Sequence, residues 1–250
     1  MKKNLFAAAA VVAFLGSAVA ANAQTIGHVG ANYARQEVDV SGLGDADADV
    51  WQAEGAVRFD AGSLGAAING AVTDYEHGDT VFGATGHLNT KVGNGLVGGF
   101  AGVDTADDLT VWGLGVEGQT NLTAKTTLFG QAGYGNSDDL GDADLWAVRG
   151  ELRHYVTDNI KLQGSVGYVT VDTDLGDDDI WNAGVEAEYQ FANSPVSVLA
   201  GYDHFDADGV DGDTFRVGVR YTFGGSIRER DQSGAALGTL SKLFGTGLGR

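Results

Sequence analysis

Six times along the 250-residue chain an acidic cluster runs into an aromatic residue. The segments read DADADVW to Trp51, HGDTVF to Phe82, DDLTVW to Trp112, GDADLW to Trp146, GDDDIW to Trp181 and DGDTF to Phe215. The steps between them are 31, 30, 34, 35 and 34 residues. A unit of this length is too long for one strand. It fits two strands, a tight turn and a loop. Behind each leading aromatic the side chains alternate. In DTFRVGVRYTF, Phe215, Val217, Val219, Tyr221 and Phe223 share one side, and Arg216, Gly218, Arg220 and Thr222 share the other. Period two is the signature of a strand with two unlike faces.

The pattern predicts twelve strands. Descending strands start at the six aromatics and run to Asp60, Lys91, Leu122, Val156, Phe191 and Phe223. Ascending strands are expected near 25–37, 64–75, 96–104, 126–136, 160–171 and 196–205. An even number of strands of about ten residues is what a closed, all-β, up-and-down antiparallel transmembrane barrel requires. The connections also alternate. Short turns at 60–63, 91–95, 123–125, 157–159 and 192–195 are interleaved with longer acidic loops such as VSGLGDADAD and DTDLGDDD. Short periplasmic turns and longer extracellular loops are the arrangement of outer-membrane barrels. Both ends of the barrel segment are then expected at the periplasmic side.

Which face looks outward decides the solvent. A soluble sandwich would hide the apolar parity, whereas a membrane barrel turns it to lipid. The charged or amide face has the same parity relative to the leading aromatic in all six descending strands. Trp51 to Phe59, Trp181 to Tyr189 and Phe215 to Phe223 each span eight residues. At about 3.3 Å per residue and about 40° of tilt this is roughly 20 Å of height, close to the roughly 25 Å band between aromatic girdles. Trp51, Phe82, Trp112, Trp146, Trp181 and Phe215 are therefore expected at one membrane interface. Phe59, Tyr189, Tyr221 and Phe223 are expected at the other, and Tyr33, Tyr75, Tyr134, Tyr168 and Tyr202 join the loop-side girdle. Core aromatics of a secreted sandwich would not gather at strand ends.

The N-terminal stretch MKKNLFAAAAVVAFLGSAVAANAQT has a basic start, an apolar run and a small-x-small site at Ala21-Asn22-Ala23. It is expected to be a secretory signal over 1–23, with cleavage after Ala20 as the alternative. The barrel follows over 24–223 and a tail over 224–250. Cysteine is absent, which removes disulfides and thiolate sites. The net charge of −19 argues against nucleic acid as a partner.

The exported chain, the twelve alternating strands and the closing Val219-Arg220-Tyr221-Thr222-Phe223 resemble the porin-like outer-membrane β-barrels of Gram-negative bacteria. The resemblance covers residues 24–223 at the level of architecture. It implies outer-membrane localisation, contact with lipid and lipopolysaccharide, and a final aromatic read by the barrel assembly machinery. One departure is that the chain continues for 27 residues beyond Phe223, where such barrels usually stop.

Parity assigns Glu54, Arg58, Asp60, His87, Lys91, Glu117, Gln119, Arg149, Glu151, Arg153, Lys161, Glu186, Glu188, Arg216 and Arg220 to the lumen. Opposed charges there suit a narrow wet channel for ions or small hydrophilic solutes. The same charges could pair and close the interior, leaving a structural or adhesive barrel. The acidic loops would form a rim that favours cations. Asp45, Asp47, Asp49, Asp206 and Asp208 loosely resemble calcium ligands, but no ion-binding loop motif is present and no cofactor is expected. His77 and His204 lie among carboxylates, as any histidine in so acidic a rim would, and the chain is read as a non-enzyme. Oligomers are compatible with the pattern. The basic, glycine-rich tail is expected as a periplasmic extension, with entry into the lumen or binding to the envelope as alternatives. Leu237, Leu240 and Phe244 in it could form a short helical stripe.

Overall fold

The computed structural model describes residues 25–76, 78–174 and 176–245. The export signal expected over 1–23 and His77 lie outside the described residues. Twelve strands follow in chain order: β1 (Ile26–Val40), β2 (Gly44–Ala61), β3 (Leu64–Tyr75), β4 (Val81–Val92), β5 (Gly95–Ala106), β6 (Leu109–Thr123), β7 (Thr126–Ser137), β8 (Ala143–Thr157), β9 (Ile160–Thr173), β10 (Gly176–Gln190), β11 (Val196–Ala207) and β12 (Val210–Phe223). Each pairs antiparallel with its chain neighbour, and β1 closes the barrel against β12, from Gly27 opposite Phe223 to Val40 opposite Val210. Closure leaves no sheet edge, so every spanning backbone group finds its partner within the wall.

The two faces separate as the alternation predicts. Val217, Val219 and Tyr221 are about half exposed on the outside, and so are Leu88, Val116, Trp146, Val166 and Val185. Between them, Glu117, Glu151, Arg153, Lys161, Glu188 and Arg220 turn inward and are buried. An apolar outer belt over a charged interior is the reverse of a soluble core. It is the arrangement that lipid imposes, because apolar side chains there need no water and charged ones do. Among the loop-side tyrosines, Tyr75 departs from expectation. It stands opposite Val50, an interior position, and so faces the mouth of the barrel and not the lipid.

The strands are longer, and the loops shorter, than the acidic clusters suggest. DADADV, expected as loop, belongs to β2, and GDDDI belongs to β10. Above the aromatic girdle both faces of a hairpin meet water, so carboxylates can occupy either parity while the backbone ladder continues. In three of the six repeats the acid before the aromatic has a direct partner. Tyr33 Oη donates to Asp49 at 2.8 Å, Tyr134 to Asp144 at 2.5 Å and Tyr202 to Asp213 at 2.5 Å. Each of these aspartates lies two residues before the leading aromatic, on the same face. The neighbouring tyrosine ring then packs on that aromatic, with centroids 5.0 Å apart for Tyr33–Trp51 and Tyr134–Trp146 and 4.9 Å for Tyr202–Phe215. The tyrosine is thus apolar toward lipid and hydrogen-bonded toward water, the usual use of that side chain at an interface.

The tail does not extend from the barrel. It turns back at Gly224 and runs up the lumen as two short helices, α1 (Ile227–Ser233) and α2 (Leu240–Phe244). Gly224 has φ +81°, and a Cβ there would stand 2.3 Å from the Thr25 carbonyl oxygen, so the reversal needs glycine. Toward the loop end α2 completes an apolar cluster with Phe100, Val111, Ala143, Leu145, Ala147 and Val169.

Candidate functional site

The candidate site is the lumen. The tail is built into it residue by residue. Ser226 caps α1 by accepting from the Glu229 N–H, while Glu229 accepts from the Ser226 N–H. Those bonds to Ser226 hold the Glu229 carboxyl below its ordinary pKa. Thr239 caps α2 in the same sense, accepting from the Lys242 N–H.

Side chains of the wall satisfy the backbone of the tail. Asn69 Nδ2 donates to the Leu237 carbonyl at 2.7 Å, Gln119 Nε2 to Gln232 at 3.0 Å and Gln131 Nε2 to Gly238 at 3.2 Å. The Leu240 N–H donates to Thr85 Oγ1 at 3.0 Å, and the Ile227 N–H to Gln190 Oε1 at 3.3 Å. Buried backbone groups that make no ladder need such partners.

A charge network fills the middle of the barrel. Glu188 is 1% exposed and accepts from Arg220 at 2.8 Å, from both terminal nitrogens of Arg230 at 2.9 and 2.8 Å, and from Ser197 at 2.7 Å. Lys161 Nζ lies 3.0 Å from Glu186, 3.2 Å from Glu188 and 3.6 Å from Asp231. Arg220 also reaches Glu54 at 2.6 Å, and Arg216 bridges Glu186 and Asp203 at 3.2 and 3.3 Å. A second group joins Arg149 and Arg153 to Glu151, at 3.1 and 2.6 Å. His87 and Glu117 meet at 3.0 Å on the opposite wall. Arg58 pairs with Asp60 at 2.8 Å toward the turn end, and Lys91 lies 3.7 Å from the same carboxylate.

Most of the parity-assigned residues are therefore brought together, and nearly all are already paired. The space left is small and polar. One cavity of about 60 Å³ is bordered by Glu54, Arg149, Glu186, Arg216, Arg220 and Lys242. A second, of about 70 Å³, lies beside it below α2 and shares Glu54, Glu186, Arg220 and Lys242.

Of the five rim candidates, two have a cationic partner, two face other carboxylates, and Asp208 lies at the tip of the loop between β11 and β12. Asp47 and Asp49 pair with Arg35, Asp45 stands opposite Asp39, and Asp206 stands opposite Asp211. Among the described residues no group of three or more His, Asp or Glu is arranged to hold a metal ion. His204 sits 2.8 Å from Asp213 on the outer wall and stacks near Trp181, 5.3 Å between centroids.

Asn69, Thr85, Asp104, Gln131 and Tyr155 do not stand out in the sequence, because short polar groups on the inner parity carry no charge pattern and a lone Tyr or Asp stands out little. The Ser226-Ile-Arg-Glu229 box is a helix-start signal inside the tail that the residues themselves carry. Tyr155 is fully buried and donates to Asp231 at 3.1 Å. Replacing it with Phe removes that donor from a buried carboxylate, and is expected to cost about 1–3 kcal/mol. Urea unfolding of the refolded protein followed by tryptophan fluorescence would read the loss.

A closed barrel of twelve up-and-down strands, apolar outside and charged inside, is the architecture of a transmembrane β-barrel of the outer membrane. Solved structures agree with this at the level of fold. The NanC porin superposes with a TM-score of 0.59 at 10% identity, covering 76% of this chain and 98% of that one. An outer-membrane channel from Pseudomonas putida F1 gives 0.56 at 12% identity over 79% and 94%. The KdgM porin gives 0.54 at 9% over 78% and 99%. No protein-family model and no curated protein matches the sequence.

Proposed function

We propose that this protein is a Gram-negative outer-membrane channel through which ions and small hydrophilic solutes diffuse, with a preference for cations. The observation that carries the reading is the pairing of a lipid-facing apolar wall with a lumen lined by Glu54, Arg149, Glu186, Arg216 and Arg220 around polar space. Lipid bilayers tolerate charges at that depth only around water or in ion pairs, and such positions mark solute pathways. The acidic strand ends that crown the loop side would raise the local concentration of cations. The porins and the channel with which the fold superposes support the same class of function. Lipid and lipopolysaccharide against the belt, and the assembly machinery at the closing Phe223, complete the expected partners. No catalytic role is assigned to His204, which serves the outer girdle.

Purified protein inserted in planar bilayers under a KCl gradient is expected to give discrete current steps, with a reversal potential of the sign that marks K⁺ over Cl⁻. Repeated insertions without current, from wild type and from a chain with its C-terminal segment displaced alike, would overturn the channel. A reversal potential at zero would overturn the cation preference alone. A second reading, a closed structural barrel, is favoured by one observation: the tail leaves cavities of only about 60 and 70 Å³.

A further inference from the structure

The geometry points to the C-terminal segment as a seated, displaceable plug that keeps the channel in a low-conductance state. This rests on the channel reading above. Three observations carry it.

First, the wall is shaped for the tail. Gly113, Gly133 and Gly135 face inward where α2 lies. A Cβ at Gly113 would stand 2.7 Å from the Phe244 ring, at Gly133 3.0 Å from Leu243, and at Gly135 2.8 Å from Phe244. Asn69, Gln119 and Gln131 spend their amides on tail carbonyls. A segment lodged by accident would find neither a glycine-lined cradle nor matched donors.

Second, the tail is not part of the wall. Barrel closure is made by β1 and β12 alone, along an unbroken register. The tail adds no strand, and its helices of seven and five residues are too short to persist by themselves. It can leave without opening the ladder.

Third, the charges divide cleanly. Arg230 and Asp231 pair with each other at 2.7 Å, so the tail carries its own counter-ion. Glu188 keeps Arg220 and Lys161 when Arg230 departs. Withdrawal therefore leaves the ion pairs of the wall intact, and the Asp104 carboxyl, which loses Ser241, meets the water that replaces the tail. The remaining hold is the set of uncharged hydrogen bonds from the wall and an apolar seat. Leu240, Leu243 and Phe244 are buried at 0%, 0% and 1% exposure. Gly224 and Gly225, at the turn-side mouth, provide the pivot on which the segment would swing out.

The test uses the full chain in planar bilayers. Ser241 Oγ donates to Asp104 Oδ2 at 2.7 Å, so the two side chains point at each other across the contact between tail and wall, and cysteines there can be joined by oxidation, directly or through a short bis-methanethiosulfonate linker that a thiol reductant cleaves. The chain has no other cysteine. The double variant D104C/S241C locks the tail when oxidised, and L243E/F244E expels α2 from its apolar seat. Expected are currents near the floor for the oxidised lock, recovery to the wild-type level on adding a thiol reductant, and a several-fold larger unit conductance for L243E/F244E. Equal conductance in wild type, locked and charged-tail proteins would overturn the plug and leave the channel standing. No current from any of the three, with each shown to be folded by its heat-shifted mobility in gels, would overturn the channel reading and the plug with it.

Discussion

Replacing Arg220 with methionine is expected to destabilise the folded barrel by about 3 kcal/mol or more, the size of effect seen when one partner of a buried ion pair is removed. Arg220 is the bridge between two carboxylates from distant strands. Its guanidinium holds Glu54 of β2 at 2.6 Å and Glu188 of β10 at 2.8 Å. Glu188 keeps other cations when the arginine goes. Glu54 does not fare as well: it keeps the His28 ring at 3.9 Å and faces Lys242 and Arg216 only across the cavity they share. The cost should therefore arise mainly from Glu54, and the double variant E54Q/R220M should recover a large part of it. A double-mutant cycle in urea unfolding, with protein in detergent micelles or lipid vesicles, measures that coupling. If R220M is within about 0.5 kcal/mol of wild type, the network is hydrated and the interior is wetter than the ion-pair geometry implies.

The second expected result concerns the outer wall. Val217 is 56% exposed, midway between Phe215 and Val219 on the lipid-facing parity of β12. Val217→Arg should cost about 1–3 kcal/mol, below the roughly 2–4 kcal/mol of a cation at the bilayer midplane because Val217 stands a quarter of the way from the Phe215 girdle to that at Phe223. Val217→Leu at the same site should be close to neutral. The two variants separate lipid from water as the outer solvent. In a soluble protein an exposed Val→Arg change on a strand would cost little. A V217R protein that refolds into vesicles with wild-type stability would place this face outside the membrane.

Several features of the chain are legible from its residues alone, and for local reasons. Twelve strands follow from period-two alternation, which is a property of the extended backbone itself. The outward face follows from where Arg216, Arg220, Glu186 and Glu188 fall relative to Phe215 and Trp181, because one residue of shift would invert every side chain. The strand ends are less legible. The acidic clusters read as loops since aspartate is poor in strands, yet β2 begins at Gly44 and β10 at Gly176. Those aspartates are held in extended chain by the cross-strand ladder and by tyrosine hydroxyls from the adjacent strand, which no single segment reveals.

The alternation of apolar and charged residues determined by itself that this chain makes an up-and-down barrel with a greasy outside and an ionic inside, since period and parity are written into each strand separately. Where the last residues go was decided only by the tertiary structure. Gly113, Gly133 and Gly135 become a cradle only once β6 and β7 stand side by side, and Arg230 finds Glu188 across 42 residues of chain. Such contacts join segments whose sequences carry no mutual signal, so the occupancy of the lumen could be seen only after the barrel had closed around it.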